Sequence, residues 1–511
     1  MRRIVSSQSE PLQGLQSTRA IEAAATAQWP PHTLMARAGL ALANLTRALA
    51  PHSRTLWVAC GPGNNGGDGL QAAAHLHQFF QAQGGHTRVE VTLAGDPALL
   101  PSDAAAACAQ ALAAGVSLAP QPPDNFDFAI DALLGIGACR APTGVLAAHL
   151  QALHRGRAPV LCVDLPSGLN ADTGQWPEHW SAPTPKGPRH TLSLLTLKPG
   201  LFTAHGRDAA GEVWFDDLGV ASSASPPDAW LVGMAGQALS RKPPHSAHKG
   251  SHGEVLIVGG QAASDTAPGM TGAALLAARA ALQVGAGRVY VHLLGSGAAP
   301  IAWDPVQPEL MFRHGDTLWQ GDLIERSAVV CGCGGGESVG PLLPRLLERS
   351  QRLVLDADAL NAVATDPALH NSLRARRARG CTTVITPHPL EAARLLSTTT
   401  EQVMADRIAA AQTLSERLGV ICVLKGSGTV SCEAGQVPLI NGSGNGCLAT
   451  AGTGDVLAGM VGAALCADLG DGASALSRVA QAVFQHGQLA DDWVRRHGLR
   501  PLTAHELTAE R

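Results

Sequence analysis

Two series of short apolar runs, most of them separated by helical stretches, limit the folds that this chain can adopt. The first series is TLWVAC (55–60), VEVTLAG (89–95), FAIDALLG (128–135), PVLCVDLP (159–166), HTLSLLTLK (190–198) and GEVWFDDLG (211–219). The second is GEVLIVGG (253–260), SAVVCGCGGG (327–336), RLVLDADAL (352–360), TTVITPHP (382–389) and GVICVLKGSG (419–428). Such runs are typical of buried parallel strands covered by helices on both faces. The sequence therefore predicts two α/β domains of three layers each.

The region between the two series predicts where the domains meet. A chain of 511 residues is too long for one hydrophobic core. The stretches ASSASPPDAW (221–230) and RKPPHSAHKG (241–250) are rich in Pro, Ser and Ala, which is typical of a linker. We predict an N-terminal domain at 1–225, a linker at 226–244 and a C-terminal domain at 245–511.

Composition excludes several classes of function. With 37 Lys and Arg against 41 Asp and Glu, the chain lacks the basic field that nucleic-acid binding requires. It has no apolar run of membrane-spanning length, and its first 30 residues lack the apolar core of a signal peptide. The eleven cysteines are an odd number without CxxC spacing, which argues against disulfides and structural zinc. We expect a cytoplasmic protein that binds neither nucleic acid nor membrane.

The first chemical motif is GPGNNGGDG (61–69), between a strand and the predicted helix Leu70–Gln83. Its glycines let backbone N–H groups approach a phosphate at the helix N-terminus, and we expect Asp68 to cap the helix. A plain strand-to-helix turn is the alternative for the glycines. Because carboxyl ends of parallel strands converge, Asn65 could meet Asp131 and Ser167. Their oxygens suit a hard cation, whereas a lone Asp would more simply cap a loop.

The second motif is NGSGNGCLATAGTGD (441–455), followed by apolar residues at helical spacing. The pattern places Gly452, Thr453 and Gly454 at a helix N-terminus, with Asp455 just inside. Backbone donors there can stabilise a transferring phosphoryl group, and the carboxylate can accept a hydroxyl proton. A helix-capping Asp is the alternative.

Further pieces of the C-terminal half fit a nucleotide site. The loop Lys425–Thr429 follows a strand and offers a cation and free N–H groups, although it lacks the spacing of a P-loop. Asp356 and Asp358 are either structural or ligands of Mg²⁺. His388 stands between two prolines, and the alternative for it is a turn residue without a ligand. We expect the two cysteines of CGCGGG (331–336) to be bystanders, and the alternative for them is a role as metal ligands.

Residues 18–220 resemble the NAD(P)H-hydrate epimerase family, also called the YjeF N-terminal family. The motifs are TLMARAG (33–39), GPGNNGGDG, DALLGIG, VDLPSG and TLKPG (196–200). The resemblance implies that Asp164 is the acid/base group with Lys198 close by, and that K⁺ binds to Asn65, Asp131 and Ser167. It implies two substrate loops, namely Asn64, Asn65, Gly66, Gly67, Asp68 and Gly135, Ile136, Gly137, Ala138, Cys139, Arg140, Ala141. Ile136 departs from the Thr that is common in the family.

Residues 245–505 resemble the ADP-dependent NAD(P)H-hydrate dehydratase family of the ribokinase-like superfamily. The motifs are HKGSHGEVLIVGG, MTGAALLAARAALQVGAGRVYV, VLDADAL, TPHPLE, LKGSGTV and NGSGNGCLATAGTGDVLAG. The family commonly has TPHPGE and GPGLG where this chain has TPHPLE and CGCGGG. The resemblance implies that Asp455 is catalytic. It implies hydrate contacts at Ala273, Gly334, His388 and Asp455, and adenylate contacts at Lys425, Gly426, Ser427, Gly428, Thr429 and Gly454.

Together the resemblances imply a Rossmann-like three-layer domain followed by a ribokinase-like three-layer α/β domain, in an enzyme that repairs hydrated NADH and NADPH. The first domain would interconvert the R and S epimers with K⁺. The second would dehydrate the S epimer with ADP and Mg²⁺, releasing AMP and phosphate. We expect a homo-oligomer whose partners are small molecules. The alternatives are a small-alcohol kinase, such as a vitamin or thiazole kinase, and a non-enzymatic N-terminal half.

Overall fold

The chain, in a computed structural model, divides into two compact units. The structure describes residues 1–138, 140–180, 184–220, 226–234, 245–263, 268–295, 302–466 and 472–509. The first unit comprises Met1–Val5 and Pro11–Ala229, and the second comprises Ser6–Glu10 and Trp230–Arg511.

The first unit is built around a sheet in the order β1-β9-β8-β7-β6-β3-β4-β5. The first nine strands of the chain, of which β2 belongs to the other sheet, are β1 (Arg2–Arg3), β2 (Glu10–Leu12), β3 (Thr55–Cys60), β4 (Arg88–Leu93), β5 (Leu118–Ala119), β6 (Phe128–Ala132), β7 (Val160–Val163), β8 (Arg189–Leu194) and β9 (Glu212–Asp216). The pairs from β9 to β5 are parallel, and β1 runs antiparallel to β9. The carboxyl ends of these parallel strands therefore share one edge, as predicted from the sequence.

Helices cover both faces of this sheet. They are α1 (Leu15–Gln28), α2 (Thr33–Leu49), α3 (Asn64–Ala82), α4 (Ser102–Ala113), α5 (Gly144–Arg155) and α6 (Gly206–Ala210). Along β3, Leu56 and Val58 belong to one core cluster, and Trp57 and Ala59 belong to another. Because successive side chains of a strand point to opposite faces, the alternation gives a core on each side. The predicted three-layer architecture is confirmed here.

The other sheet of the chain has the order β13-β12-β11-β14-β15-β16-β17-β18-β19-β10-β2, and its strands from β11 to β19 lie in the second unit. Its further strands are β10 (Ala229–Val232), β11 (Glu254–Gly259), β12 (Arg288–Leu293), β13 (Met311–Phe312), β14 (Ala328–Cys331), β15 (Arg352–Leu355), β16 (Thr382–Ile385), β17 (Ile421–Leu424), β18 (Val430–Cys432) and β19 (Leu439–Asn441). Pairing is parallel from β13 to β17 and antiparallel from β17 to β19, and β10 adds parallel to β19.

The second sheet also lies between two helical layers. The helices are α7 (Thr271–Gln283), α8 (Leu323–Arg326), α9 (Leu343–Arg349), α10 (Asp358–Thr365), α11 (Pro367–Ala378), α12 (Pro389–Leu396), α13 (Thr400–Ala405), α14 (Arg407–Leu418), α15 (Thr453–Cys466), α16 (Ala475–His497) and α17 (Ala504–Leu507). Val255 and Ile257 of β11 pack in one core cluster, and Leu256 and Val258 pack in the other. The second unit is thus also a three-layer α/β domain, as predicted.

The structure differs from the sequence prediction at the domain boundary. The segment 226–244, predicted as a linker, contains β10, and Trp230 pairs with Leu439 of β19. Residues Ser6–Glu10, predicted within the first domain, cluster with the second unit. The reason is that a sheet edge carries unpaired backbone groups, which added strands satisfy. Residues 235–244 of the predicted linker lie outside the described part of the chain.

Among the described residues, no helix is long and apolar enough to cross a membrane. The ten cysteines in the described ranges are free, and eight of them are buried.

Candidate active sites

In the first unit, a cavity of about 580 Å³ opens at the carboxyl edge of the sheet. Its wall includes residues of α1, the start of α3, the loop after β6 and the end of β7. The predicted site residues that line it are Asn64, Asn65, Asp68, Gly135, Ile136, Gly137, Ala138 and Asp164. The sequence therefore located this cavity through residues that lie far apart along the chain.

Helix α3 begins earlier than predicted, and this changes the role of its glycines. It starts at Asn64, with Gly63 as the N-cap residue, so Asp68 lies inside the helix and does not cap it. Gly66 and Gly67 are buried. A Cβ atom on Gly66 would lie 1.9 Å from the carbonyl oxygen of Gly61, and one on Gly67 would lie 2.6 Å from the Cε atom of Met35. These glycines allow close packing of the helix, which a loop pattern in the sequence cannot reveal.

Asp164 and Lys198 form an ion pair at the floor of the cavity. The Lys198 Nζ donates to the Asp164 carboxylate. It also donates to the carbonyl oxygens of Leu194 at 2.7 Å and Thr196 at 3.0 Å. Lys198 is fully buried, and burial lowers its pKa against the opposing effect of Asp164. Asp164 lines the cavity, whereas Lys198 contacts the Asp164 carboxylate without lining the cavity.

The backbone at Asp164 has the left-handed conformation, with φ of 65°. Such a conformation is uncommon outside glycine and concentrates at functional sites. The Leu194 amide donates to the carboxylate at 2.9 Å, and the Asp164 amide donates to the Leu192 carbonyl at 2.9 Å. The turn after β7 therefore aims the carboxylate into the cavity and holds it there.

Glu22 is a cavity residue that sequence reasoning missed. It lies on α1 and lines the cavity together with Asp68. Burial, and next the charge of Asp164, raise the pKa of Glu22, and the same two causes raise the pKa of Asp68 well above its ordinary value. The cavity wall thus carries the carboxyl groups of Glu22, Asp68, Asp103 and Asp164, and the buried Lys198 lies against the last of them. No strand-end or glycine motif marks Glu22, so the sequence offered no signal for it.

The three predicted cation ligands lie beside the same loop. The Ser167 hydroxyl donates to Asp131 at 2.6 Å, and the Ser167 amide donates to Asp131 at 3.1 Å. The Leu134 amide donates to the Ser167 hydroxyl at 2.8 Å. A Cβ atom on Gly135 would lie 3.2 Å from the Cβ atom of Asn65. The loop after β6 therefore adjoins both the Asn65 side chain and the buried Asp131–Ser167 pair.

The remaining residues of the predicted second substrate loop lie further out. Arg140 is exposed and Ala141 is half-buried, and neither lines the cavity. Cys139 falls outside the described residues. The first four residues of this loop are therefore the ones that contribute to the cavity wall.

In the second unit, Asp455 lies at the N-terminus of α15, which begins at Thr453 as predicted. The ligand atoms of Cys333, Asp356 and Asp455 all lie within 4.8 Å of one another. Burial, and next the charge of Asp356, raise the pKa of Asp455 to about 6. Cys333, which was predicted not to be a metal ligand, lies beside both carboxylates, and its own pKa is raised well above its usual range, chiefly by burial.

Lys425 joins this group from the end of β17. Its Nζ lies 2.9 Å from a carboxylate oxygen of Asp356, and the same oxygen accepts the Thr386 hydroxyl at 2.7 Å. Burial by itself would lower the pKa of Lys425, but the charges of Asp356 and Glu391 hold it above its ordinary value. Lys425 is therefore protonated at neutral pH.

The loop that follows Lys425 is braced by a residue that the sequence did not reveal. The buried Arg407 donates to the carbonyl oxygens of Leu424, Lys425, Ser427 and Gly428. With its carbonyl groups turned toward Arg407, this loop keeps a fixed shape. Gly426, Ser427, Gly428 and Thr429, predicted as adenylate contacts, all lie on it.

The predicted hydrate contacts of the second unit lie on neighbouring segments. A Cβ atom on Gly334 would lie 2.9 Å from the Cβ atom of Ala273, so these two residues are neighbours. His388 is exposed and caps α12, and its Nδ1 accepts from the Leu390 amide at 3.2 Å. Partial desolvation of the ring, and next the charge of Lys425, lower the pKa of His388, which favours the neutral ring at neutral pH.

Comparisons with known proteins match both units. The family model described as NAD(P)H-hydrate dehydratase matches residues 255–510, and that described as YjeF-related protein N-terminus matches residues 31–200. The bifunctional NAD(P)H-hydrate repair enzyme of Escherichia coli (strain K12) is 35% identical over 498 residues, covering 93% of this chain and 88% of that protein.

Two further relatives match about half of the chain. The ADP-dependent (S)-NAD(P)H-hydrate dehydratase of Neisseria meningitidis is 40% identical over 247 residues, covering 48% of this chain and 78% of that protein. A Bacillus subtilis ADP/ATP-dependent NAD(P)H-hydrate dehydratase, co-crystallized with ATP/Mg²⁺, is 30% identical, with a TM-score of 0.44 over 52% of this chain and 90% of that one. The chain belongs to the family of bifunctional NAD(P)H-hydrate repair enzymes.

Proposed function

We propose that the first unit interconverts the R and S epimers of hydrated NADH and NADPH, and that the second dehydrates the S epimer with ADP. The observation that carries the proposal is Asp455 at the N-terminus of α15, beside the protonated Lys425. Backbone N–H groups and an ammonium group stabilise a transferring phosphoryl group, and a carboxylate accepts the proton of the attacking hydroxyl. These are the groups that phosphorylation of a ring hydroxyl needs.

The dehydration then proceeds through a phosphorylated hydrate. The β-phosphoryl group of ADP moves to the ring hydroxyl, whose proton goes to Asp455, and AMP is left. Phosphate then departs with the electron pair of the carbon–oxygen bond, a proton leaves the adjacent carbon, and the ring double bond returns. Gly334, Ala273 and the neutral His388 are proposed to contact the hydrate, and the Lys425–Thr429 loop and Gly454 to contact the adenylate.

In the first unit, we assign proton transfer to Asp164, which lines the cavity. Lys198 touches Asp164 but not the cavity, so we assign it a positioning role. The Asn64–Asp68 segment at the start of α3 is proposed to hold the phosphates of the hydrate, since a helix N-terminus favours anions.

K⁺ is the proposed cation of the first unit. The donor set of Asn65, Asp131 and Ser167 contains oxygen and no sulfur or imidazole, which suits a hard cation. Among the described residues, the buried Nδ2 of Asn65 has no hydrogen-bond partner. A half-turn of this amide would present its oxygen there instead. When bound, K⁺ would supply positive charge beside the phosphate-binding helix start.

Mg²⁺ is the proposed metal of the second unit, where it would neutralise the phosphate charge of the nucleotide. Mg²⁺ in proteins often uses one or two carboxylates together with phosphates. Asp356 is engaged by Lys425 and Thr386. Asp358 is half-buried and accepts the Gly336 amide at 2.8 Å, so Asp358 is the carboxylate that fits the role.

The experiment that tests the proposal is incubation of the protein with hydrated NADH, ADP and Mg²⁺. We expect the absorbance of the reduced nicotinamide to return, with one AMP formed for each NADH. A parallel reaction contains ATP in place of ADP, so that the two phosphoryl donors can be compared. A stable phosphorylated product without NADH would identify a small-alcohol kinase instead, and a clear preference for ATP with ADP as product would refute the proposed donor.

A further inference from the structure

Asp356 is a carboxylate in the interior of the second unit. It follows the last residue of β15 and is 1% exposed. Its amide donates to the Cys331 carbonyl at 3.0 Å, and its carboxylate accepts from Thr386 and Lys425. Burial of a carboxylate is costly unless it is paired and hydrogen-bonded, so the Lys425 contact is what makes this placement tolerable.

The partner of Asp356 is aimed at the N-terminus of α15. A Cβ atom on Gly454 would lie 3.4 Å from the Lys425 Nζ, so the ammonium group adjoins the second residue of that helix. The Lys425 backbone is fixed independently, because its amide donates to the Pro387 carbonyl at 2.9 Å and Arg407 holds its carbonyl. A lysine side chain has many rotamers, so Asp356 supplies the constraint that the backbone does not.

We propose that Asp356 is a positioning residue for phosphoryl transfer, which holds the Lys425 ammonium group at the N-terminus of α15 where the transferring phosphoryl group would lie. The inference rests on the proposed dehydratase function. In this proposal Asp356 acts through Lys425 and contacts neither the nucleotide nor Mg²⁺. The Thr386 hydroxyl fixes the same carboxylate oxygen and so belongs to this arrangement.

The test is a double-mutant cycle on the full-length protein, with the pure S epimer, ADP and Mg²⁺. Asp356→Asn keeps the size of the side chain but removes the charge that orients Lys425. We expect kcat to fall by about 10²-fold, with the KM for the hydrate little changed, because a misplaced catalytic group costs rate more than ground-state binding. In a Lys425→Met background, Asp356→Asn should cost nothing further, because residues that act as a unit are not additive.

A matched variant and a metal titration separate the proposal from its rivals. Thr386→Val leaves the ion pair intact, so we expect a smaller loss of kcat than in Asp356→Asn. The Mg²⁺ concentration for half-maximal rate should stay unchanged in Asp356→Asn. A raised Mg²⁺ requirement would indicate that Asp356 is a metal ligand. If the decreases in kcat of the two single variants multiplied in the double variant, Asp356 would act independently of Lys425. Either result overturns the proposal.

Folding and the underlying activity are monitored separately. Thermal unfolding and calorimetric binding of ADP report whether each variant is folded, so loss of both would indicate a structural role and count against the proposal. Failure of the unsubstituted protein to regenerate NADH would instead refute the proposed function, before any variant is compared.

Discussion

At the scale of single residues, the environment of Asp455 sets the chemistry of the second unit. Burial and the charges of Asp356 and Asp358 favour its neutral form, whereas the hydrogen bond with Cys333 and the charge of Lys425 favour its ionised form. The resulting pKa of about 6 leaves the carboxyl group mostly ionised at pH 7.5 and able to take a proton there. A base with a pKa just below the working pH is suited to catalysis.

This pKa predicts the pH dependence of S-epimer repair. We expect kcat/KM to rise as the pH increases through about 6, because Asp455 must lose its proton before it can accept another. Asp455→Asn should lower the rate by about 10²–10⁴-fold and remove this acid limb. The measurements are initial rates from pH 5 to 8, with ADP binding as the control for folding. Near-normal turnover of the variant would show that Asp455 is not the base.

At the scale of secondary-structure elements, glycine makes the helix packing possible. In the second unit, α7 and α15 approach so closely that a Cβ atom on Gly459 would lie 2.0 Å from the carbonyl oxygen of Ala277. Because the obstructing atom belongs to the backbone, it cannot rotate away. The position of α15, and with it that of Asp455, therefore depends on a glycine four residues after the candidate base.

Gly459→Ala is expected to destabilise the second unit by about 1–3 kcal/mol, as overpacking of a tight core does. Gly272→Ala is the matched control, because Gly272 lies on α7 with nothing within 4 Å of its Cβ position. That control should leave stability unchanged or raise it by up to about 1 kcal/mol, because alanine favours helix. Chemical denaturation of both variants provides the comparison. Equal effects of the two substitutions would contradict the packing argument.

At the scale of the whole molecule, each unit has its own group of candidate catalytic side chains beside its own sheet. The first contains the Asp164–Lys198 pair and the Asp131–Ser167 pair, and the second contains Asp455 with Lys425 and Asp356. A stereospecific dehydratase leaves the other epimer unrepaired, and an epimerase on the same chain supplies it. Substitutions at the sites of the two units should therefore affect different phases of repair.

Asp131→Ala tests this division of labour. From a mixed R/S sample, recovery of NADH should show a fast S phase that is unchanged and an R phase that loses most of its rate and its dependence on K⁺. Replacement of K⁺ by a large organic cation should slow the R phase of the unsubstituted protein alone. Asp124→Ala, an exposed aspartate of the same unit, is the control and should leave both phases unchanged. If Asp131→Ala slowed both phases equally, Asp131 would be structural and the division would be wrong.

The sequence by itself determined the class of both domains and the segments that surround each site. Those features follow from local patterns, because apolar runs, glycines and strand-end carboxylates act over a few residues of chain. It predicted the start of α15, but it missed Glu22 and Arg407 and misplaced the start of α3. Only the tertiary structure placed Lys425, Thr386 and Asp356 in mutual contact, and only it added β10 to the second sheet. Burial and ion pairing depend on which distant segments pack together, and that is set by the fold as a whole.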